Sequence, residues 1–214
     1  MPDKWGRGRM LLLDCWDKSI EQVAFDHVNL ALVLMNSHRR HELSEREYAM
    51  RRRGCESVST VLGLKSLRDL TWSALDESRG QLDKLSFLRA EHVVRENERT
   101  IKFVRHMRNG DWLPAGEMLY QSHASLREKF QRSCIELDQL VGATRKIGVE
   151  GGFGARLTGA GFGGSMIALV EREKASDVVA RIVEDYNKVG AALSRPMASG
   201  FVAEGARVLQ VVTG

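Results

Sequence analysis

Eight of the chain's 20 glycines fall in the 17 residues from Gly148 to Gly164. They end in Leu157-Thr158-Gly159-Ala160-Gly161-Phe162-Gly163-Gly164, which runs straight into Ser165-Met166-Ile167-Ala168-Leu169-Val170. Glycine admits positive φ and carries no Cβ, so successive N–H groups can turn toward one centre and a ligand can approach the main chain closely. Phosphate oxygens suit such a cradle.

Three readings compete for this loop, and its flanks separate them. Gly159, Gly161 and Gly164 satisfy G-x-G-x-x-G, yet the dinucleotide fingerprint must follow a strand and open a helix. Here Ser165 to Val170 reads as a strand. A phosphate loop of the Walker type needs lysine after its last glycine, where this chain has Ser165. A glycine-rich hairpin turn without a ligand is the plain alternative, but two-residue turns need only one or two glycines. A phosphate cradle between two strands is the favoured reading.

Length and composition bound the rest. At 214 residues, 43% hydrophobic and 28% charged, the chain is long enough for one domain, or one domain and a fragment. No apolar run approaches 18 residues, and no cationic segment leads into an apolar stretch with a cleavage site. No membrane span and a cytoplasmic location are therefore expected. Cys15, Cys55 and Cys134 are far apart and in no metal or redox spacing, which reads as reduced thiols. The net charge of +4 raises nucleic acid as a partner. However, Glu42, Glu45 and Glu47 interrupt the arginines at 39, 40, 46, 51, 52 and 53, as on a solvated helix face, and no basic stripe with stacking aromatics is present.

Apolar runs at Met10–Asp14 and Val28–Met35 read as buried strands. Residues 44–62 read as a helix starting at Ser44 with Glu47 in a capping box, carrying Tyr48 in its first turn. Helical spacing predicts a long helix from about Gln81 to Arg108 that stops at Asn109-Gly110. A second helix follows from Asp111 with Pro114 in its first turn. Ser133 with Glu136 predicts a capping box for a third, with Ile135, Leu140 and Ile147 facing inward. After the glycine loop come a helix near 175–189, with Val178, Val179, Ile182 and Tyr186 on one side, and a last strand near Val202 or Val208. Strand, hairpin and helix preceded by helices indicate an α+β fold.

The motifs themselves resemble a family. Thr158 to Gly164 is similar to the third motif of the GHMP small-molecule kinases in its galactokinase form. Asn36-Ser37, His41-Glu42-Leu43, Tyr48, Arg51-Arg52 and Cys55-Glu56 resemble the stretch that carries the sugar-contacting tyrosine. Leu67-Arg68-Asp69-Leu70, Glu96-Asn97-Glu98-Arg99 and Ser122-His123-Ala124-Ser125-Leu126-Arg127 resemble three further signatures in the same order. Gly205-Ala206-Arg207-Val208-Leu209 resembles the closing strand. Ser165 stands where that family usually has cysteine, and Ala49-Met50 stands where it has a polar pair.

The resemblance implies a ferredoxin-like antiparallel sheet covered by helices over 41–214. It also implies that residues 1–40 are strands left from the family's N-terminal domain, whose missing neighbours would leave their edges open. It implies ATP and Mg²⁺ as cofactors, galactose or a related sugar such as N-acetylgalactosamine as substrate, and phosphorylation at the anomeric hydroxyl. Tyr48 would contact the sugar, and Gly159, Ala160, Gly161, Phe162, Gly163 and Gly164 would lie beside the phosphates. The family's G-R-x-N-x-x-G-E-H-x-D segment, its P-x-G-x-G-L-S-S-S loop and its catalytic aspartate do not occur in these 214 residues. The chain is therefore expected to be incomplete and inactive unless a separate N-terminal half completes it, with self-association through exposed strands as another outcome. A non-catalytic sugar- or nucleotide-binding regulatory module is the alternative reading. His123, next to Ser122 and Ser125, is expected to be a buried histidine satisfied by those hydroxyls. Asp69, beside Arg68, is expected to form an ion pair or a cap.

Overall fold

Residues 9–25, 29–37, 45–159, 161–188 and 198–200 are described by a computed structural model. Strand β1 (Arg9–Leu13) pairs antiparallel with β2 (Ile20–Ala24). A second sheet holds β3 (Leu30–Asn36), β4 (Gly152–Thr158), β5 (Ser165–Glu171) and β6 (Ala198–Gly200) in the order β4-β5-β3-β6, every pair antiparallel. The helices are α1 (Glu45–Val61), α2 (Trp72–Glu77), α3 (Lys84–Asn109), α4 (Trp112–Glu128), α5 (Ile135–Ile147) and α6 (Ala175–Lys188). The α+β class and the helix-covered antiparallel sheet expected from the resemblance are present.

The sheet forms where side chains alternate between two cores. In β5, Met166, Ala168 and Val170 are buried in a cluster with Leu137, Leu140 and Ile147 of α5 and with Val178, Ile182 and Tyr186 of α6. Leu169 points the other way, into a cluster with Val23, Leu30, Val104, Met107 and Ala115. This period of two fixes the register, because a one-residue slip would exchange the two faces. A third cluster joins Val58 of α1 to Leu75 of α2 and to Phe87, Ala90 and Val94 of α3.

Two expectations about the first strands need correction. The described part of the apolar run at 28–35 lies in β3 from Leu30 onward, which pairs with β5 from Leu30↔Glu171 to Asn36↔Ser165 and with β6 on its other side. It therefore has partners on both edges. The run at 10–14 forms β1, whose partner β2 is too short and too polar, at Ile-Glu-Gln-Val-Ala, to announce itself. The proposed boundary near residue 40, the Ser44 cap and the last strand at 202 or 208 lie outside the described residues.

The helix ends follow local chemistry. Asp83 caps α3 by accepting from the Leu85 and Ser86 N–H groups. Gly110 closes it in the left-handed region at φ 78°, with the Asp111 N–H returning to the His106 carbonyl. At α5 the expected capping box does not form. Cys134 is the N-cap with no side-chain hydrogen bond, Ser133 donates instead to Asp138 at 2.5 Å, and Ile135 is 68% exposed. The inward side of α5 carries Leu140 and Ile147 as expected.

Helix α4 lies directly on β4 at a glycine–glycine crossing. A Cβ on Gly116 would sit 2.0 Å from the Phe153 carbonyl oxygen, and one on Gly154 would sit 2.1 Å from the Gly116 oxygen. Main chain meets main chain here, with no flexible side chain to yield. Gly116→Ala is therefore expected to destabilise the fold by about 3 kcal/mol or more, although alanine is the better helix former. Gly142 of α5 has nothing within 4 Å of the same construction, so Gly142→Ala should gain up to about 1 kcal/mol. Urea unfolding of the two variants checks this, and similar midpoints would refute the crossing.

Candidate functional site

The glycine loop closes the β4–β5 hairpin, whose last ladder pair is Thr158↔Ser165. Gly159 takes φ 76°, Gly161 81°, Phe162 58°, Gly163 117° and Gly164 79°. Four consecutive residues in the left-handed region cannot continue either strand, and such turns direct amides to one side. Ala160 lies outside the described residues. The loop has a packed side and an open side. A Cβ on Gly161 would lie 2.3 Å from the Arg132 carbonyl oxygen, whereas Gly159 and Gly164 have nothing within 4 Å. The Arg132 carbonyl accepts the Phe162 N–H at 2.9 Å, and the Gly164 carbonyl accepts the Ser37 N–H at 2.7 Å, prolonging the β3–β5 pairing.

Tyr48 sits in the first turn of α1 and is 64% exposed. It is therefore not a core-packing residue. Burial lowers the pKa of the Arg132 guanidinium. Arg132 also reaches the Gly159 carbonyl at 3.4 Å. The 130–132 turn thus stands between the tyrosine helix and the loop. Arg51, one helical turn after Tyr48, binds that turn and has its guanidinium carbon 4.5 Å from the Phe162 ring centroid.

The buried polar groups beneath the loop are paired in a pattern different from the expected one. His123 takes the Leu157 N–H on Nδ1 at 3.2 Å, so the proton is on Nε2, which donates to Asp138 at 3.0 Å. Burial pushes the Asp138 carboxyl up, but hydrogen bonds from His123 and Ser133 outweigh it and hold the group below its ordinary value. With both nitrogens engaged, His123 has no site left to take a proton from a substrate. The adjacent hydroxyls go elsewhere, because helix neighbours one or two apart face different sides. Ser122 donates to Glu96 at 2.5 Å, and Ser125 bonds His92 Nδ1 at 2.9 Å. Glu96 also pairs with Arg99 and Arg156. Arg68 pairs with Asp14 instead of Asp69, and the cap of its short helical turn is Ser66. Among the described residues no group of three or more His, Cys, Asp or Glu side chains could hold a metal ion. No described helix is long and apolar enough to cross a membrane.

His92 packs under the same turn, its ring 4.5 Å from that of Phe130. Burial, followed by the positive field of Arg156, Arg99, Arg132 and Lys129, pushes its pKa down to about 3. The folded value lies below the unfolded 6.5, so this group's contribution is complete above pH 6.5 and is lost as pH falls toward 3, at about 1.4 kcal/mol per pH unit. His92→Gln, which keeps a partner for Ser125 but does not titrate, should therefore be less penalised at pH 5 than at pH 7.5 by about 2 kcal/mol. Denaturant titrations at the two pH values test this, and a pH-independent difference would refute it.

Comparison with known proteins accords with this arrangement. Residues 103–188 match the family model described as GHMP kinases C terminal. The chain is 40% identical over 181 residues to a galactokinase of Bos taurus, covering 85% of this chain and 46% of that protein. It is 40% identical over 180 residues to a galactokinase of Homo sapiens, covering 84% and 45%. A crystal structure of Lactococcus lactis galactokinase complexed with galactose superposes with a TM-score of 0.82 at 30% identity, covering 92% of this chain and 50% of that one. The chain spans about half the length of the curated relatives it matches. Residues 103–188 therefore form a GHMP kinases C-terminal domain, and the chain as a whole is similar to about half of a galactokinase.

Proposed function

We propose that this chain forms one wall of a site that transfers a phosphoryl group from ATP to the anomeric hydroxyl of galactose, working in the cytoplasm. The carrying observation is the run of left-handed residues from Gly161 to Gly164, open at Gly159 and Gly164, beside the exposed Tyr48. Backbone N–H groups there would hold phosphate oxygens, whose approach a Cβ would block, and the Tyr48 hydroxyl would hydrogen-bond the sugar. Mg²⁺ would supply charge neutralisation when bound. The described residues offer it no ligand cluster, so its ligands are assigned to the complementary part of the fold.

In this reading the anomeric oxygen attacks the γ-phosphorus as the bond to the ADP oxygen breaks. The hydroxyl proton leaves to a base that also belongs to the complementary part. Phosphoryl transfer depends mainly on positioning and charge neutralisation. This chain therefore contributes a phosphate-facing surface and a sugar contact, and it does not turn over alone.

Two measurements test the proposal. The purified chain should show no galactose-dependent ATP consumption, and mixing with a separately expressed N-terminal half of a galactokinase should restore it. In the restored enzyme, loss of one hydrogen bond in Tyr48→Phe should raise the galactose KM by about 3- to 10-fold and leave the ATP KM unchanged. Gly163→Val should lower turnover more than thermal stability, because a β-branched side chain both opposes positive φ and fills the phosphate approach. Full turnover by the isolated chain, or an unchanged galactose KM in Tyr48→Phe, would overturn the assignment.

A further inference from the structure

We infer that Arg51 is a positioning residue that sets the separation between the helix carrying Tyr48 and the glycine loop, an inference that rests on the kinase reading above. Arg51 is only 9% exposed. Its Nε donates to the Phe130 carbonyl at 2.9 Å, one terminal nitrogen donates to the Gln131 carbonyl at 2.5 Å, and the other donates to the Glu47 carbonyl of its own helix at 2.9 Å. The flat face of the same group lies against Phe162. The next carbonyl along the turn, that of Arg132, accepts the Phe162 N–H. One guanidinium therefore joins α1, two consecutive residues of the turn and the ring of Phe162 in the loop.

The neighbourhood needs such a clamp. Gln131 at φ 54° and Phe162 at φ 58° are non-glycine residues in the left-handed region, a strained conformation that persists only when its surroundings impose it. Both strained residues touch Arg51. Lysine could not replace it, because an ammonium has neither the planar fork that meets two carbonyls nor a face to stack on a ring. The next residue, Arg52, is a natural control, since its side chain is 70% exposed and pairs with Glu56 on the same helix. In the kinase reading Arg51 touches neither sugar nor phosphate. Its loss would therefore misplace two bound groups relative to each other without removing a contact to either.

The test has two readouts. Amide hydrogen exchange on the full chain should show the Phe162 and Arg132 N–H groups exchanging at least about 10-fold faster in Arg51→Lys, while amides of the β3–β5 pairing keep their rates. Arg52→Lys should change none of them. Phe162→Leu keeps the three hydrogen bonds and removes only the ring, so it should give an intermediate acceleration even if Arg51→Lys folds poorly. In the enzyme completed with an N-terminal half, Arg51→Lys should lower kcat by about 10- to 100-fold and leave the galactose KM within about threefold, the signature of misplacement. Unchanged exchange at Phe162, uniform acceleration along the chain, or a raised KM at constant kcat would each overturn the inference. A completed wild-type enzyme without galactose turnover would overturn the kinase reading, while exchange would still decide the role of Arg51.

Discussion

The contact of Gly116 with Gly154 fixes how closely α4 lies on the sheet. A helix normally stands off a sheet by the thickness of its side chains, and at this crossing that thickness is removed from both partners. Helix α4 is therefore as close to β4 as main-chain atoms permit. One consequence appears at His123, seven residues further along α4, whose ring reaches the Leu157 N–H in the strand below. Another appears where α4 ends. The turn after Glu128 folds back with the Arg132 N–H on the Leu126 carbonyl at 2.8 Å, which brings the Arg132 carbonyl to the loop.

Arginine is used here as a structural group. Each nitrogen of the Arg51 guanidinium donates to a main-chain carbonyl, and Arg99 and Arg156 share the Glu96 carboxylate with the Ser122 hydroxyl. Such groups are tolerated because the guanidinium remains charged while its donors find partners. Burial, with the positive field of Arg156 and Arg99 second, keeps His92 neutral, so its hydrogen bond to Ser125 involves the uncharged ring. The interior beneath the loop thus holds arginines paired with the Glu96 carboxylate, a neutral imidazole at His92 and an Asp138 carboxylate held by His123 and Ser133.

Much of this was legible in the sequence, and the remainder has identifiable physical reasons. The long helices could be read because their apolar positions recur at helical spacing and because Gly110 and Gly148 mark their ends. The glycine-rich turn between two strands and the place of Tyr48 in the first turn of α1 could be read because glycine density and helical spacing are local properties. The pairing of β3 was not legible, since a run of Leu, Ala and Val fits the middle of either sheet and nothing in it names its neighbour. β2 was missed because Glu21 and Gln22 interrupt a five-residue strand. Arg51 looked like one charge among many on a solvated face. Its partners are carbonyls 79 and 80 residues away, which carry no side-chain signature.

The distance along the chain from Arg51 to those carbonyls also bears on the order of folding. Closing so long a segment is entropically slow, and contacts of this kind come after local helices and hairpins. The β4–β5 hairpin can form from neighbouring residues, but its tip takes its shape only once α1 and the end of α4 have arrived from elsewhere. The tip is then the last part of the hairpin to be ordered and the first to open from the native state. The loop's left-handed geometry is then a late tertiary event, so a partly folded chain has the strands on either side of the loop before it has the loop's shape.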